Sequence, residues 1–378
     1  MKKILISLMI LGITFFTLLP SQNITKVNAE NFCKASVVVE SSSKRVLSEK
    51  NKDEKLPMAS TTKIMTALVT LENAKNLDEI IKIDDRAVGI EGTSIYLRKG
   101  EEMTVRELLF GLMLPSGNDA SLALAYHIGN GNFEEFVNMM NSMAQKLNLK
   151  NTHFANPHGL DQESHYTSAY DLALITIEAM KHKDFRDIVS TKYIQITGNK
   201  EVGNRFLRNK QRLLKTLEGC NGVKTGFTDN AGRCLVTSCN RNGMELISVV
   251  LNCPNMFEES ARLIEEAYKT YTYETILEPY SYITSIGVEE GKYDNVKVFT
   301  MKGFKYPLKE NEKELIHIET KLPEILNAPL EKEEEIGEIK IFFEKSLIFC
   351  EKIYTMESVE SVDIKDKVKD IIDKWFYE

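Results

Sequence analysis

Two kinds of hydrophobic spacing divide this chain. The stretch "ASVVVESSSKRVLSEKN" (35–51) alternates apolar and polar residues around a polar cluster, which predicts a β-hairpin. Apolar residues then recur every three or four positions in five segments: Ser60 to Lys75, Thr104 to Leu114, Asn118 to Gly129, Asn132 to Leu147 and Ser168 to Lys181. Each predicts a helix with one or more buried faces. Beyond residue 200 the spacing returns to strands. "GRCLVTSCNRNGMELISVVLN" (232–252) gives two β-rich runs about the turn "NRNG", and "MFEESARLIEEAYKTY" (256–271) gives a closing helix. Strand, helices, strands and a last helix is the order of a sheet covered by helices, an α/β (α+β) sandwich, over residues 30–275. From 276 to 360 short alternating runs separated by charged turns predict a small β-rich C-terminal domain. Residues 361–378 place Ile364, Val368, Ile371, Ile372, Trp375 and Phe376 on one face of a terminal amphipathic helix. That helix has two open readings: resting on a membrane surface, or packing on the β-rich domain.

The N-terminus departs from this pattern. Lys2 and Lys3 precede an apolar run from Ile4 to Leu19, and "KVNAEN" sets Val27 and Ala29 at the small-residue positions before a cut. Residues 1–29 thus read as a secretory signal peptide cleaved after Ala29, placing the mature chain outside the cytoplasm. The other reading is an uncleaved anchor, for which the run is short. Cleavage removes Lys2, Lys3 and Lys26 and no acid, so the mature protein is more acidic than the formal charge of −7. Such a balance argues against a nucleic-acid partner. The six cysteines and six histidines lack metal-site spacing, so no metal or other cofactor is expected. A disulfide between two cysteines is open and cannot be assigned from the sequence.

The chemistry starts from S-x-x-K. It occurs at Ser60–Lys63, heading an almost wholly apolar helix, and again at Ser41–Lys44, inside the hairpin turn. Only the first has company. Ser116-Gly117-Asn118 precedes a helix, and Lys224-Thr225-Gly226 precedes a strand pair. S-x-x-K, S-x-N and K-T-G in that order form the three-part set of penicillin-binding proteins and β-lactamases. A serine hydroxyl needs a base, and an amine becomes one when burial and neighbouring cations lower its pKa. Lys63 lies one turn from Ser60 on the same face. Ser60 is then the nucleophile, Lys63 its base and Ser116 a relay to the leaving amine. Asn118 orients the substrate backbone, while Lys224 and Thr225 face a carboxylate. Gly226 admits the substrate as an added strand.

The stretches "LPMASTTKIMTALV", "LLFGLMLPSGNDASLALA", "NTHFANPHGLDQESHYTSAYDLALI" and "GVKTGFTDNAGRCLV" resemble those of the serine-type D-alanyl-D-alanine carboxypeptidases, the low-molecular-mass penicillin-binding proteins. The resemblance implies a β-lactamase/transpeptidase-like fold and removal of the terminal D-alanine from peptidoglycan stem pentapeptides through an acyl-Ser60 intermediate. It implies acylation by β-lactam antibiotics, and an oxyanion hole made by the backbone N–H groups of Ser60 and Phe227. Two departures stand out. Met256 occupies the place of an arginine that often holds the substrate's carboxylate, with Arg262 the nearest arginine. That leaves carboxylate recognition to Lys224 and Thr225. Phe227 replaces a frequent histidine after K-T-G. Rival readings are a β-lactamase, for which no E-x-x-L-N occurs between residues 119 and 223, a transpeptidase or DD-endopeptidase acting on cross-links, and a catalytically silent wall-binding protein. The last sits poorly with six intact motif residues.

Overall fold

A computed structural model describes residues 33–197 and 203–363, together with Val368, Ile372 and Trp375; the expected signal peptide lies outside the described residues. The hairpin forms as β1 (Ala35–Glu40) and β2 (Val46–Lys50). β1 is buried along its whole length, because it lies inside a sheet covered on both faces and not on a half-exposed one.

The helical segments follow as α1 (Lys63–Asn73), α2 (Val105–Met113), α3 (Asn118–Ile128), α4 (Phe133–Lys146) and α5 (Ala169–Met180), with a short β3–β4 pair (Ile80–Lys82, Glu102–Thr104) before α2. A capping box between Thr104 and Glu107 starts α2. Two elements not foreseen come next: α6 (Lys183–Ser190) and the hairpin β5 (Tyr193–Ile196) with β6 (Arg205–Arg208). The apolar face of α6 is only Phe185, Ile188 and Val189, too short a stripe to stand out among its charges. Then come β7 (Cys220–Thr228), β8 (Gly232–Arg241), β9 (Met244–Leu251) and α7 (Met256–Thr270).

The central sheet is antiparallel in the order β2-β1-β9-β8-β7, so β7 is an edge strand. On one face Leu235, Leu246 and Val250 pack against Met256, Leu263 and Ala267 of α7. On the other, Val37, Val236 and Val249 meet the large core holding α1 and α5. α1 is buried from Lys63 through Thr70. Cys33 and Cys253 form a disulfide that joins the chain before β1 to the end of β9. Cys220 and Cys239 face each other across β7 and β8 as free thiols.

The expected boundary at 276 falls within β10 (Thr272–Leu277), and the remaining strands are β11 (Tyr282–Glu289), β12 (Asn295–Thr300), β13 (Phe304–Leu308), β14 (Ile316–Lys321), β15 (Ile325–Asn327), β16 (Glu335–Phe343) and β17 (Ser346–Thr355). β10 pairs with β13, and the other six form one sheet around Val296, Val298, Ile339, Ile341 and Ile353. The β1–β2 turn contacts this part: Ser42 shares a hydrogen bond with Tyr273, and Arg45 donates to Pro307 O and, at 2.9 Å, to both oxygens of Glu312. The Arg45 guanidinium also lies over the rings of Tyr271, Tyr306 and Phe343. With Arg45 11% and Glu312 14% exposed, Arg45→Ala strands a largely covered carboxylate and removes this stacking. We expect a loss of about 3 kcal/mol in urea unfolding, with the cleft chemistry intact.

Of the terminal segment, Val368, Ile372 and Trp375 are helical, with exposed side chains. Among the described residues no helix is long and apolar enough to cross a membrane.

Candidate active site

Ser60 does not open an α-helix, as the periodicity suggests. It sits in a 3-10 turn (Ala59–Thr62), and α1 begins at Lys63. The backbone of Ala59 is left-handed, φ 48°, because the turn is pressed against β7 and a loop. A Cβ on Gly226 would lie 3.1 Å from both Met58 O and Ser60 N. A Cβ on Gly159 would lie 2.0 Å from Ala59 O, and its φ is +93°. Glycine at both positions lets three backbones converge on one serine.

Lys63 is fully buried. Its Nζ lies 3.0 Å from Ser60 Oγ, 2.7 Å from Asn118 Oδ1 and 2.6 Å from the carbonyl of His158. Burial, and then the positive charge of Lys210, lower its pKa to about 7, against a smaller opposing pull from Asp119. Lys224, also buried, is held well below its usual value by desolvation, then by Lys63 and Lys210. Its Nζ donates to Thr225 O at 3.0 Å. Two neighbouring buried lysines disfavour each other's charge, so a neutral amine is within reach near neutral pH.

The His158 carbonyl is positioned by a loop that sequence reading did not connect to the site. Pro157 O accepts hydrogen bonds from Thr66 of α1 and Ser121 of α3, both at 2.6 Å. Burial, then Lys63, hold the His158 imidazole near pKa 3, and His165, bonded to Thr62 Oγ1, is near 4. Both rings are neutral. Among the described residues no cluster of His, Cys, Asp and Glu is suited to a metal.

Ser116 occupies the α2–α3 link with φ 76°. Its Oγ is buried and has no hydrogen-bond partner, neither Ser60 nor either lysine. Asn118 Oδ1 accepts from Lys63 Nζ at 2.7 Å, and Asn118 Nδ2 donates to Glu91 O at 2.7 Å. It fixes the amine and the loop between β3 and β4. Asp119 braces the same loop, accepting from the N–H groups of Ile95 and Leu97 and from Ser94 Oγ. Phe227 is 59% exposed at the mouth.

These groups open onto a cleft of about 770 Å³ lined by Ser60, Ser116, Thr225 and Gly226. Lys224 and Thr225 are not the sole candidates near the cleft for meeting a carboxylate. Arg208, Lys210, Arg212 and Arg233 also line the cleft, beside Met256. Arg262, nearest in sequence, is instead paired with Glu259 and Glu266. The basic run "RFLRNKQR" (205–212) in an acidic chain was the available signal. The look-alike Ser41–Lys44 lies in the β1–β2 turn, against the β-rich part.

A serine beside a buried lysine at the head of the central helix, facing a K-T-G edge strand, is the arrangement of the penicillin-interacting serine enzymes. Comparison with known proteins narrows that class. The profile of the D-alanyl-D-alanine carboxypeptidase family matches residues 22–255, and that of the penicillin-binding protein 5 C-terminal domain matches 271–361. The chain is 34% identical over 350 residues to the D-alanyl-D-alanine carboxypeptidase DacF of Bacillus subtilis, covering 89% of each protein. It is 31% identical over 363 residues to DacC of Escherichia coli, covering 91% of this chain and 88% of that one. Among solved structures, penicillin binding protein 5 from Haemophilus influenzae superimposes with a TM-score of 0.71 at 30% identity, over 87% of this chain and 98% of that one. The Streptomyces K15 DD-transpeptidase gives 0.59 at 34% identity, over 62% and 96%. This chain belongs to the D-alanyl-D-alanine carboxypeptidase family.

Proposed function

We propose that the protein is a serine DD-carboxypeptidase that removes the terminal D-alanine from peptidoglycan stem pentapeptides, and that β-lactams acylate the same serine. The observation that carries the reading is the coordination of Lys63. A neutral amine has two N–H bonds and one lone pair. The two N–H bonds match the shorter contacts, to Asn118 Oδ1 and His158 O, and leave the lone pair for the proton of Ser60 Oγ at 3.0 Å.

In this reading Ser60 Oγ attacks the carbonyl of the penultimate D-alanine as its proton passes to Lys63. The N–H groups of Ser60 and Phe227 receive the oxyanion. Ser116 Oγ, unpartnered and buried, returns a proton to the departing D-alanine nitrogen. Lys224 and Thr225 face the terminal carboxylate, and Gly226 lets the peptide pair with edge strand β7. Water then releases the acyl group from Ser60.

The signal peptide would export the chain, and the mature enzyme would act at the cell wall. The exposed Val368, Ile372 and Trp375, one helical turn apart, suit contact with a membrane surface.

The test is D-alanine release from a peptide ending in Lys-D-Ala-D-Ala by residues 30–378. We expect release, blocked once labelled penicillin has bound covalently. Intact peptide alongside bound penicillin would redirect the reading to cross-linked substrates, and no penicillin adduct would favour a silent binder.

A further inference from the structure

The charge lining the cleft exceeds what a single substrate carboxylate requires. The chain carries 55 acidic against 48 basic residues, yet the cleft is lined by Arg208, Lys210, Arg212 and Arg233 and by no carboxylate. Among the described residues none of the four forms an ion pair, whereas Arg45, Arg86, Arg106, Arg205, Arg241 and Arg262 all do. Like charges gathered without counterions repel, so the collar is unfavourable until an anion arrives.

Its members are also held ready. The Arg212 guanidinium lies 5.2 Å over the Phe257 ring, and that of Arg233 lies 5.7 Å over Phe227. Stacking on an aromatic face fixes a guanidinium plane while leaving its N–H edge open to a carboxylate. Lys210 Nζ is 3.3 Å from Thr93 Oγ1. Lys224 and Thr225 stand on one side of Ser60 along β7 and Phe227, with Arg233, on the other. A peptide paired with β7 meets cations on both sides of its scissile bond.

We propose that this collar selects stem peptides carrying a second free carboxylate, on a side chain upstream of D-Ala-D-Ala, over the same peptides with that group as a carboxamide. Resting on the DD-carboxypeptidase reading, this names the substrate class of that site. One Arg–carboxylate contact in a partly solvated cleft, at about 1.4 kcal/mol, corresponds to a factor of roughly ten in kcat/KM.

The experiment compares acetyl-Glu-D-Ala-D-Ala with acetyl-Gln-D-Ala-D-Ala, with D-alanine release followed at low and high salt. The carboxylate peptide is expected to show about tenfold higher kcat/KM at low salt, with the advantage shrinking as salt rises. Arg212→Gln and Arg233→Gln should each narrow the ratio, and Arg262→Gln, whose residue is paired outside the cleft, should leave it unchanged. Equal kcat/KM for both peptides overturns the selection while leaving the carboxypeptidase standing. A ratio unmoved by either cleft substitution overturns the collar as its source. Failure to cleave either peptide overturns both readings.

Discussion

Ser60→Ala should reduce D-alanine release by roughly 10⁴-fold or more and abolish covalent labelling by penicillin, without unfolding the protein. The magnitude follows from losing the nucleophile of a unit whose members act together. The fold should survive because Ser60 is only half-buried, and among the described residues its side-chain hydrogen bond is with Lys63. Ser41→Ala, in the β1–β2 turn, should release D-alanine at the wild-type rate. Labelled Ser60→Ala protein would place the acyl bond elsewhere and remove Ser60 from the mechanism.

The second large effect is at the base. Lys63→Arg retains a cation at the site, but guanidinium does not deprotonate near neutrality. We expect a fall of about 10³-fold or more in penicillin acylation, since no lone pair receives the serine proton. On the proposed mechanism the neutral amine is the active form, and burial with Lys210 lowers its pKa to about 7. Acylation should therefore rise about tenfold per pH unit below 7 and level off above it. The sign is checked by Lys210→Gln: Lys210 lowers the pKa of Lys63, so its removal should shift the rising limb to higher pH. A limb that stays in place would detach Lys210 from the base, and a flat profile would remove Lys63 from proton transfer.

The parts of this site that sequence reveals are those set by local rules. Ser60 and Lys63 are one turn apart in any helical geometry, and Ser116 and Lys224 belong to triplets recognisable by type. The order of strands and helices likewise gave the layered sandwich. What the sequence hid depends on distant packing. The sequence links Asn118 to the substrate alone, whereas the fold also brings its Oδ1 to Lys63 and one of its N–H groups to Glu91 O. The His158 carbonyl reaches Lys63 only because Gly159 passes against Ala59. Ser60 lies in a 3-10 turn because Gly226 and Gly159 crowd its backbone, which no periodicity records. The cations at 208–212 were visible as charges, but β6 and the segment after it bring them to the cleft.

The position of β1 bears on how such a chain reaches its native state. β1 lies between β2, its immediate neighbour, and β9, where Val38 stands opposite Ser248. A chain that emerges N-terminus first presents an apolar strand with one edge unmatched until β9 has followed. Pairing of this range is slow, and an open edge invites the wrong neighbour. Cys33 waits equally long, its partner lying 220 positions further on, while Cys220, Cys234 and Cys239 emerge before Cys253 does. The β1–β9 pairing sets Cys33 beside Cys253 in the folded chain. Until β9 is made, the early strand is the part of the chain most open to a wrong partner.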